Sequence, residues 1–214
     1  DPFTALRNGF RMGWGEDWSG YGIGPMHGSF FGAVLRQACN GLPFGLYVVI
    51  PSGVKEEIRA KLYEALSAGA TRLCLYSYGP SYTANDDWSY LLEKYPPLME
   101  VLAEFNKVDA DLQGTQRRQA DVAVLYNRTA AIWESYDTAE NSWEMDAQFI
   151  YWALKHAGYN VDVLPEEDLA TRLSDYKTLY VTGKWLKATA ANAISSWMNS
   201  GTGRVLVGTA SAGM

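Results

Sequence analysis

Residues 44–80 read FGLYVVIPSGVKEEIRAKLYEALSAGATRLCLYSYGP and contain two strand patterns separated by a helix pattern. Aromatic and β-branched residues dominate 44–50, Pro51-Ser52-Gly53 ends that run, and residues 55–68 have the apolar spacing of a helix. A second apolar run covers residues 71–78 and ends at Gly79-Pro80. Nearly continuous apolar strands that alternate with helices are typical of parallel sheets covered on both faces. The sequence therefore predicts an α/β fold.

The same unit extends in both directions from this stretch. Upstream, an apolar run at residues 10–14 precedes a glycine-rich loop and a helix pattern at 29–39. Downstream, Asp86 or Asp87 can cap a helical region that runs to about residue 112 and is interrupted at Pro96-Pro97. Three strand–helix units with short turns are typical of a barrel or a doubly wound sheet.

A composition boundary divides the chain. Residues 114–120, GTQRRQA, are mostly polar and have neither hydrophobic period, so we interpret them as a linker between domains 1–113 and 121–214. The second domain is predicted to be an open α/β sheet. Its strands are predicted at 121–126, 161–164, 178–182 and 204–207, and its helices at 143–156 and 188–199.

Composition excludes several classes of protein. The net charge is -6 with acidic and basic residues interspersed, so no basic stripe favours nucleic acid. No apolar run approaches the ~18 residues that a membrane helix needs. Cys39 and Cys74 are interpreted as small apolar residues rather than metal ligands, and neither a metal nor a cofactor is expected. Asn127-Arg128-Thr129 stands where a dinucleotide site has glycines.

A family resemblance follows from four strings. Residues 69–80, GATRLCLYSYGP, resemble the last barrel strand of β-galactosidase-like glycoside hydrolases. The later strings are similar to the flavodoxin-like trimerisation domain of glycoside hydrolase family 42, and they are DVAVLY at 121–126, GYNVDVL at 158–164 and YKTLYVTG at 176–183.

This resemblance implies the C-terminal units of a TIM-type (β/α)8 barrel, followed by a partial flavodoxin-like, class I amidotransferase-like open parallel sheet. It also implies a carbohydrate substrate and a homo-oligomer, such as a trimer. We expect the earlier barrel units, with catalytic residues, to lie upstream of Asp1; nothing in the sequence indicates localisation. One departure matters: the family places a nucleophilic glutamate at the end of the seventh barrel strand, where this chain has Val49-Ile50-Pro51-Ser52 without a carboxylate.

Glu16 and Asp17 are the candidate catalytic acids, because they end the first strand–loop segment and are flanked by Trp14 and Trp18. Carboxylates can bond sugar hydroxyls or transfer a proton, and indoles offer apolar faces to a sugar ring. Adjacent residues in an extended segment point to opposite sides, so at most one of the two acids faces the sugar. The alternative is a loop in which Asp17 caps a turn and Glu16 is solvated.

Three aromatic residues near the end of the third strand are candidate substrate-binding residues, namely Tyr76, Tyr78 and Trp88. They can line a sugar subsite or close the barrel, and the sequence does not decide between these alternatives. In the second domain, Trp133 and Trp185 lie in loop-like contexts and are candidate anchors of an oligomer interface. No cysteine follows residue 74, so an amidotransferase nucleophile is not expected there.

Two hypotheses of different classes follow. The first is a fragment of a carbohydrate-active enzyme that hydrolyses glycosidic bonds, inactive as an isolated chain because an essential carboxylate lies upstream. The alternative is a non-catalytic carbohydrate-binding or oligomerisation module related to such enzymes.

Overall fold

The computed structural model describes residues 7–17, 24–50, 53–76, 92–115, 117–137 and 142–209. The chain divides into two compact units, Pro2–Arg117 and Arg118–Met214. The division lies within the stretch 114–120, which the sequence predicts to be a linker. None of the described helices is long and apolar enough to cross a lipid bilayer.

The first unit contains a parallel sheet of three strands in the order β1-β2-β3. A helix follows each of the first two strands, and a third helix follows a short 3-10 turn, Leu92–Lys94. The strands are β1 Gly13–Asp17, β2 Phe44–Val49 and β3 Arg72–Tyr76, and the helices are α1 Gly24–Cys39, α2 Lys55–Ala68 and α3 Tyr95–Leu112.

The core of the first unit forms where alternate strand residues meet the apolar stripe of α2. On β2, Phe44, Leu46 and Val48 are buried in one cluster with Ile58 and Leu62 of α2. Each fully buried side chain of this size contributes about 1.5–3 kcal/mol to stability. Helix α2 ends at Gly69, whose φ of 95° is a left-handed conformation that glycine adopts without strain.

Three element boundaries differ from the prediction. Strand β1 begins at Gly13 rather than at residue 10, so Glu16 and Asp17 lie inside the strand. Helix α1 begins at Gly24 rather than at residue 29. The Pro96-Pro97 pair does not interrupt a helix, because it lies in the first turn of α3, where a missing backbone N–H leaves no helical bond unmade.

The second unit contains a four-stranded sheet in the order β5-β4-β6-β7, with every neighbouring pair parallel. Two 3-10 turns, Glu166–Asp168 and Leu173–Asp175, flank its shortest helix. The strands are β4 Val122–Tyr126, β5 Val161–Pro165, β6 Thr178–Val181 and β7 Val205–Gly208, and the helices are α4 Arg128–Asp137, α5 Ser142–His156, α6 Leu169–Arg172 and α7 Ala188–Asn199.

Helix α4 is absent from the sequence-based prediction, which places no helix between residues 126 and 143. The Asn127 side chain accepts a hydrogen bond of 3.0 Å from the backbone N–H of Ala130, which caps the helix. Before this helix, β4 is buried along most of its length, as expected for a strand with neighbours on both sides.

Candidate functional site

Alternation along β1 separates the two candidate acids. Trp14 and Glu16 are exposed, whereas Gly13 and Asp17 are buried. A Cβ at Gly15 would lie 2.5 Å from Phe31 of α1, so Gly15 and Asp17 face the helices. Glu16 therefore lies on the opposite side of the sheet.

The Glu16 face, as we call this opposite side, carries Trp14, Glu16, Tyr47 and Cys74. Glu16 pairs in register with Tyr47 of β2, which in turn pairs with Cys74 of β3. Because neighbouring strands lie about 4.8 Å apart, these three residues form one lateral row near the carboxyl ends of the strands. Along the three described strands, Glu16 is the one carboxylate on this face.

Trp14 supplies an aromatic surface next to this row. Its ring packs edge to face against Tyr47, with 5.5 Å between the ring centroids and 61° between the planes. It also lies across Gly45, where a Cβ would come within 2.6 Å of the indole. The residue is still 43% exposed. The absence of a side chain at Gly45 thus lets the indole pack against the strand, and part of the ring stays accessible to solvent.

The Asp17 side chain lies on the side of β1 that faces the helices, in contact with α2. Its carboxylate oxygen is 3.5 Å from the Nζ of Lys61, and both side chains are buried. The same ammonium group donates a hydrogen bond to the Asp17 backbone oxygen. Burial lowers the pKa of Lys61, and the negative charge of Asp17 opposes that shift. Asp17 thus holds the end of β1 against α2, and it does not share the face of Glu16.

Glu64, one turn after Lys61 on α2, joins this pair. Its Oε2 is buried and has no hydrogen-bond partner in the part of the chain that the structure describes. Burial raises the pKa of Glu64 to about 8, against a backbone hydrogen bond from Ser29 that lowers it. A Cβ at Gly28 would lie 2.9 Å from this oxygen and 3.1 Å from Asp17 Oδ2. Gly28 therefore leaves room for an acid–lysine cluster, which consists of the buried Asp17 and Lys61 and the partly buried Glu64.

The end of β2, where the resemblance placed a nucleophile, is held by a lysine. The Nζ of Lys94 donates a 3.0 Å hydrogen bond to the backbone oxygen of Ile50, and burial lowers the pKa of Lys94. No carboxylate stands at this strand end up to Ile50 in the described chain.

The other candidate sugar-binding residues lie partly or wholly outside the described residues. Tyr76 is the last residue of β3 and pairs in register with Val49; its side chain, like residues Trp18, Tyr78 and Trp88, lies outside the described residues. Both cysteines are free, Cys39 buried and Cys74 half-buried. In the part of the chain that the structure describes, no group of three or more metal-ligating side chains comes together.

Lys61 and Glu64 were missed from the sequence, although one signal was present. Ile58, Lys61, Leu62, Ala65 and Ala68 are the buried residues of α2, so the lysine lies within the apolar stripe of its own helix. A lysine in such a stripe indicates a buried partner, but it does not identify Asp17, which is 44 residues away.

Comparisons with known proteins give a structural likeness. No protein-family model matches the chain. No curated protein matches it either. A similar solved structure is the exo-β-1,4-mannosidase Op5Man5 from Opitutaceae bacterium strain TAV5, at a TM-score of 0.57 and 12% sequence identity. The likeness covers 92% of this chain and 39% of the mannosidase chain.

The fold of the chain is similar to part of the fold of this mannosidase. At 12% identity the likeness concerns the fold alone, and it agrees with the α/β architecture and parallel sheets described above. It supports the barrel type expected for the first unit, and it does not single out family 42. The chain spans about two fifths of the length of the mannosidase.

Proposed function

We propose that the chain is part of a carbohydrate-active enzyme that hydrolyses glycosidic bonds, and that Glu16 is one of its sugar-facing carboxyl groups. The observation that carries this proposal is the position of Glu16 beside Trp14 on the face away from the helices, near the carboxyl end of β1. Barrel enzymes place their active sites at the carboxyl ends of the strands. The glycoside hydrolase-like fold supports the reaction class.

Trp14 is proposed as the surface on which a sugar ring stacks. Its partly exposed indole is fixed from below by Gly45 and from the side by Tyr47. An aromatic ring held in place loses little entropy when a sugar covers it. Tyr76, Tyr78, Trp88 and Trp18 are proposed as further sugar contacts on the sequence argument alone.

Glu16 needs a second carboxyl group for hydrolysis. Glycosidases position two acids about 5–5.5 Å apart for retention or about 6.5–9.5 Å apart for inversion. Asp17 faces α2 and is paired with Lys61, so it is a poor candidate for the second acid. We therefore propose that the partner comes from outside the three described strands, and that the 214-residue chain binds sugar without hydrolysing it.

Binding and turnover test this proposal separately. Titration of methyl β-galactoside and methyl β-mannoside into labelled protein should shift Trp14, Glu16 and Tyr47 resonances. Glu16→Gln should weaken binding at least tenfold, since a hydrogen bond to a charged group contributes about 1.5–3 kcal/mol and about 1.4 kcal/mol corresponds to a factor of ten. Trp14→Ala should weaken binding up to about tenfold, because a well-packed aromatic contact contributes about 0.5–1.5 kcal/mol. Glu57→Gln, an exposed acid on α2, is the matched control and should leave binding unchanged.

Two results would contradict the proposal. If Glu16→Gln and Trp14→Ala bind as the unaltered chain does, the Glu16 face is not the sugar site. If the unaltered chain turns over an aryl β-galactoside or β-mannoside and Glu16→Gln does not, the sugar site stands but the second acid lies within the chain.

The second unit is proposed to be flavodoxin-like, as in the trimerisation domain of family 42 β-galactosidases. Its strand order, β5-β4-β6-β7, corresponds to the first four strands of the 2-1-3-4-5 order of flavodoxin-like sheets. This correspondence supports the family 42-like reading, and with it a β-galactosidase-like specificity for the whole protein.

Assembly into a homo-oligomer, such as the trimer that the family 42 resemblance implies, is proposed as the role of this unit. Trp133 and Trp185 have ring centroids 6.3 Å apart and are 54% and 46% exposed. On the same helix as Trp133, Ile132 and Tyr136 are also exposed. Exposed aromatic clusters of this kind are typical of interface anchors. Sedimentation velocity should detect self-association that Trp133→Ser weakens; a monomer at every concentration would count against this role.

A further inference from the structure

Open α/β sheets bind ligands outside the carboxyl ends of their strands, and the sheet of the second unit has such an edge. The chain passes from β4 to β5 on one side of β4 and then to β6 on the other, so the topological switch point lies beside β4. The segments that follow β4 and β6 flank this point, and helices α4 and α7 begin there. In such folds, backbone N–H groups at helix N-termini commonly bind phosphates and other anions.

In this chain the carboxylate of Glu166 already binds those N–H groups. The backbone N–H of Thr129, the second residue of α4, donates to Glu166 Oε2 at 3.0 Å. The backbone N–H of Lys187, directly before α7, donates to Oε1 at 3.1 Å. The Thr129 hydroxyl donates to Oε2 at 2.7 Å. Glu166 itself is 4% exposed.

The Glu134 carboxylate likewise accepts hydrogen bonds from backbone N–H groups at the start of α5 and in the segment that follows β6. Its Oε2 accepts a 3.1 Å hydrogen bond from the backbone N–H of Trp143, the second residue of α5. Its Oε1 accepts one of 2.9 Å from the backbone N–H of Lys184, which follows β6. The residue is 1% exposed. Hydrogen bonds from several N–H groups stabilise a carboxylate that would otherwise be costly to bury.

Asn127 and Gly183 fill the space between the two segments. The Asn127 amide donates hydrogen bonds of 2.8 Å and 2.9 Å to the backbone oxygens of Thr182 and Trp185. A Cβ at Gly183 would overlap the Cβ of Ala130 on α4, so the segment after β6 lies directly against that helix. The two segments that would open a crevice are thus bonded to each other.

The geometry points to an internally occupied anion site. We infer that Glu166 and Glu134 take the place of an external anion, so that the switch point of the second unit is closed by its own side chains and binds neither nucleotide nor phosphate. The backbone donors that a phosphate would need are used by Glu166 across α4 and α7, and by Glu134 across α5. This inference concerns the second unit and does not depend on the sugar site proposed for the first.

Removal of the internal anion tests the inference. Glu166→Ala should lower the Tm of the chain by several degrees and leave the Thr129 and Lys187 N–H groups without their acceptor. Acetate or inorganic phosphate at ~100 mM should then recover at least half of the lost Tm, because a ligand that binds the folded state stabilises it. The anion should also shift the Thr129 and Lys187 amide resonances of the variant.

Glu167→Ala is the matched control. Glu167 is the next residue along the chain, and its carboxylate accepts a 3.1 Å hydrogen bond from the Arg128 side chain, not from a backbone N–H. Recovery by anions in Glu166→Ala alone supports the inference. The inference is overturned if the anions raise the Tm equally in both variants and in the unaltered chain, or if they raise it in none of the three. If Glu166→Ala does not fold, titration of the unaltered chain with phosphate decides: shifted amides of Thr129, Lys184 or Lys187 overturn the inference, and unshifted ones support it.

Discussion

Replacing Glu64 with glutamine should remove much of the pH dependence of stability between about pH 5 and pH 8. Burial raises the pKa of Glu64 from 4.5 to about 8, so the folded chain keeps a proton that the unfolded chain releases. The folded state therefore binds more protons across this range, and the free energy of unfolding falls as the pH rises. Stability from this group is fully present below pH 4.5 and is lost by the time the pH has passed 8.

The magnitude follows from the pKa itself. One pH unit corresponds to about 1.4 kcal/mol, so a rise from 4.5 to about 8 has an upper bound of about 5 kcal/mol. The Glu64 side chain is only partly buried, and solvent screening reduces this bound to roughly 2–3 kcal/mol. Glutamine resembles the neutral acid, so Glu64→Gln should differ least from the unaltered chain at pH 5 and should exceed it by most of that amount at pH 8.5.

Urea unfolding monitored by circular dichroism from pH 5 to pH 9 measures this difference. Subtracting the variant from the unaltered chain removes the contributions of the other titrating groups. The exposed Glu57→Gln, on the same helix, serves as control for the replacement of a carboxylate by an amide. If the difference between the Glu64→Gln variant and the unaltered chain is constant across this range, the burial argument for Glu64 is refuted.

Three glycine substitutions, one of them a control, give the remaining predictions. Gly183→Ala should lower stability by about 2–4 kcal/mol, since φ is +89° and the new Cβ would overlap Ala130, whereas Gly158→Ala, at φ +83° with open space, should lose only about 1 kcal/mol; equal losses in urea unfolding would contradict the close packing. Gly45→Ala should displace the Trp14 indole and cost about 1–3 kcal/mol, and an unshifted Trp14 indole N–H resonance would show that the ring does not rest there.

Much of the fold was predictable because its signals are local. The bounds of α2, residues 55–68, follow from Pro51-Ser52-Gly53 before it and Gly69 after it. Helix α7 likewise begins and ends at the predicted residues 188 and 199. These helices combine clear periodicity with turn-forming residues at their ends, and both kinds of signal act over a few positions.

The errors arose where distant contacts decide the structure. Strand β1 was predicted at residues 10–14, but the pairing of Gly13 with Phe44 and of Asp17 with Val48 places it three residues later. Helix α4 depends on the cap that Asn127 provides, and the same side chain bonds Thr182, 55 residues away. Within the candidate site, alternation alone separates Glu16 from Asp17, yet which acid faces the helices is set by α1 and α2.

The alternation of Gly13, Trp14 and Gly15 has a consequence for the fidelity of folding. A slip of one residue in β1 would exchange Glu16 and Asp17, and Lys61 would still meet a carboxylate. Charge alone would therefore tolerate the wrong register. Side-chain size would not tolerate it. A Cβ at position 15 would lie only 2.5 Å from the Phe31 ring, so a Trp14 indole shifted into that position would not fit. The lack of a side chain at Gly15 thus favours the native register, in which the face that carries Trp14 and Glu16 points away from the helices.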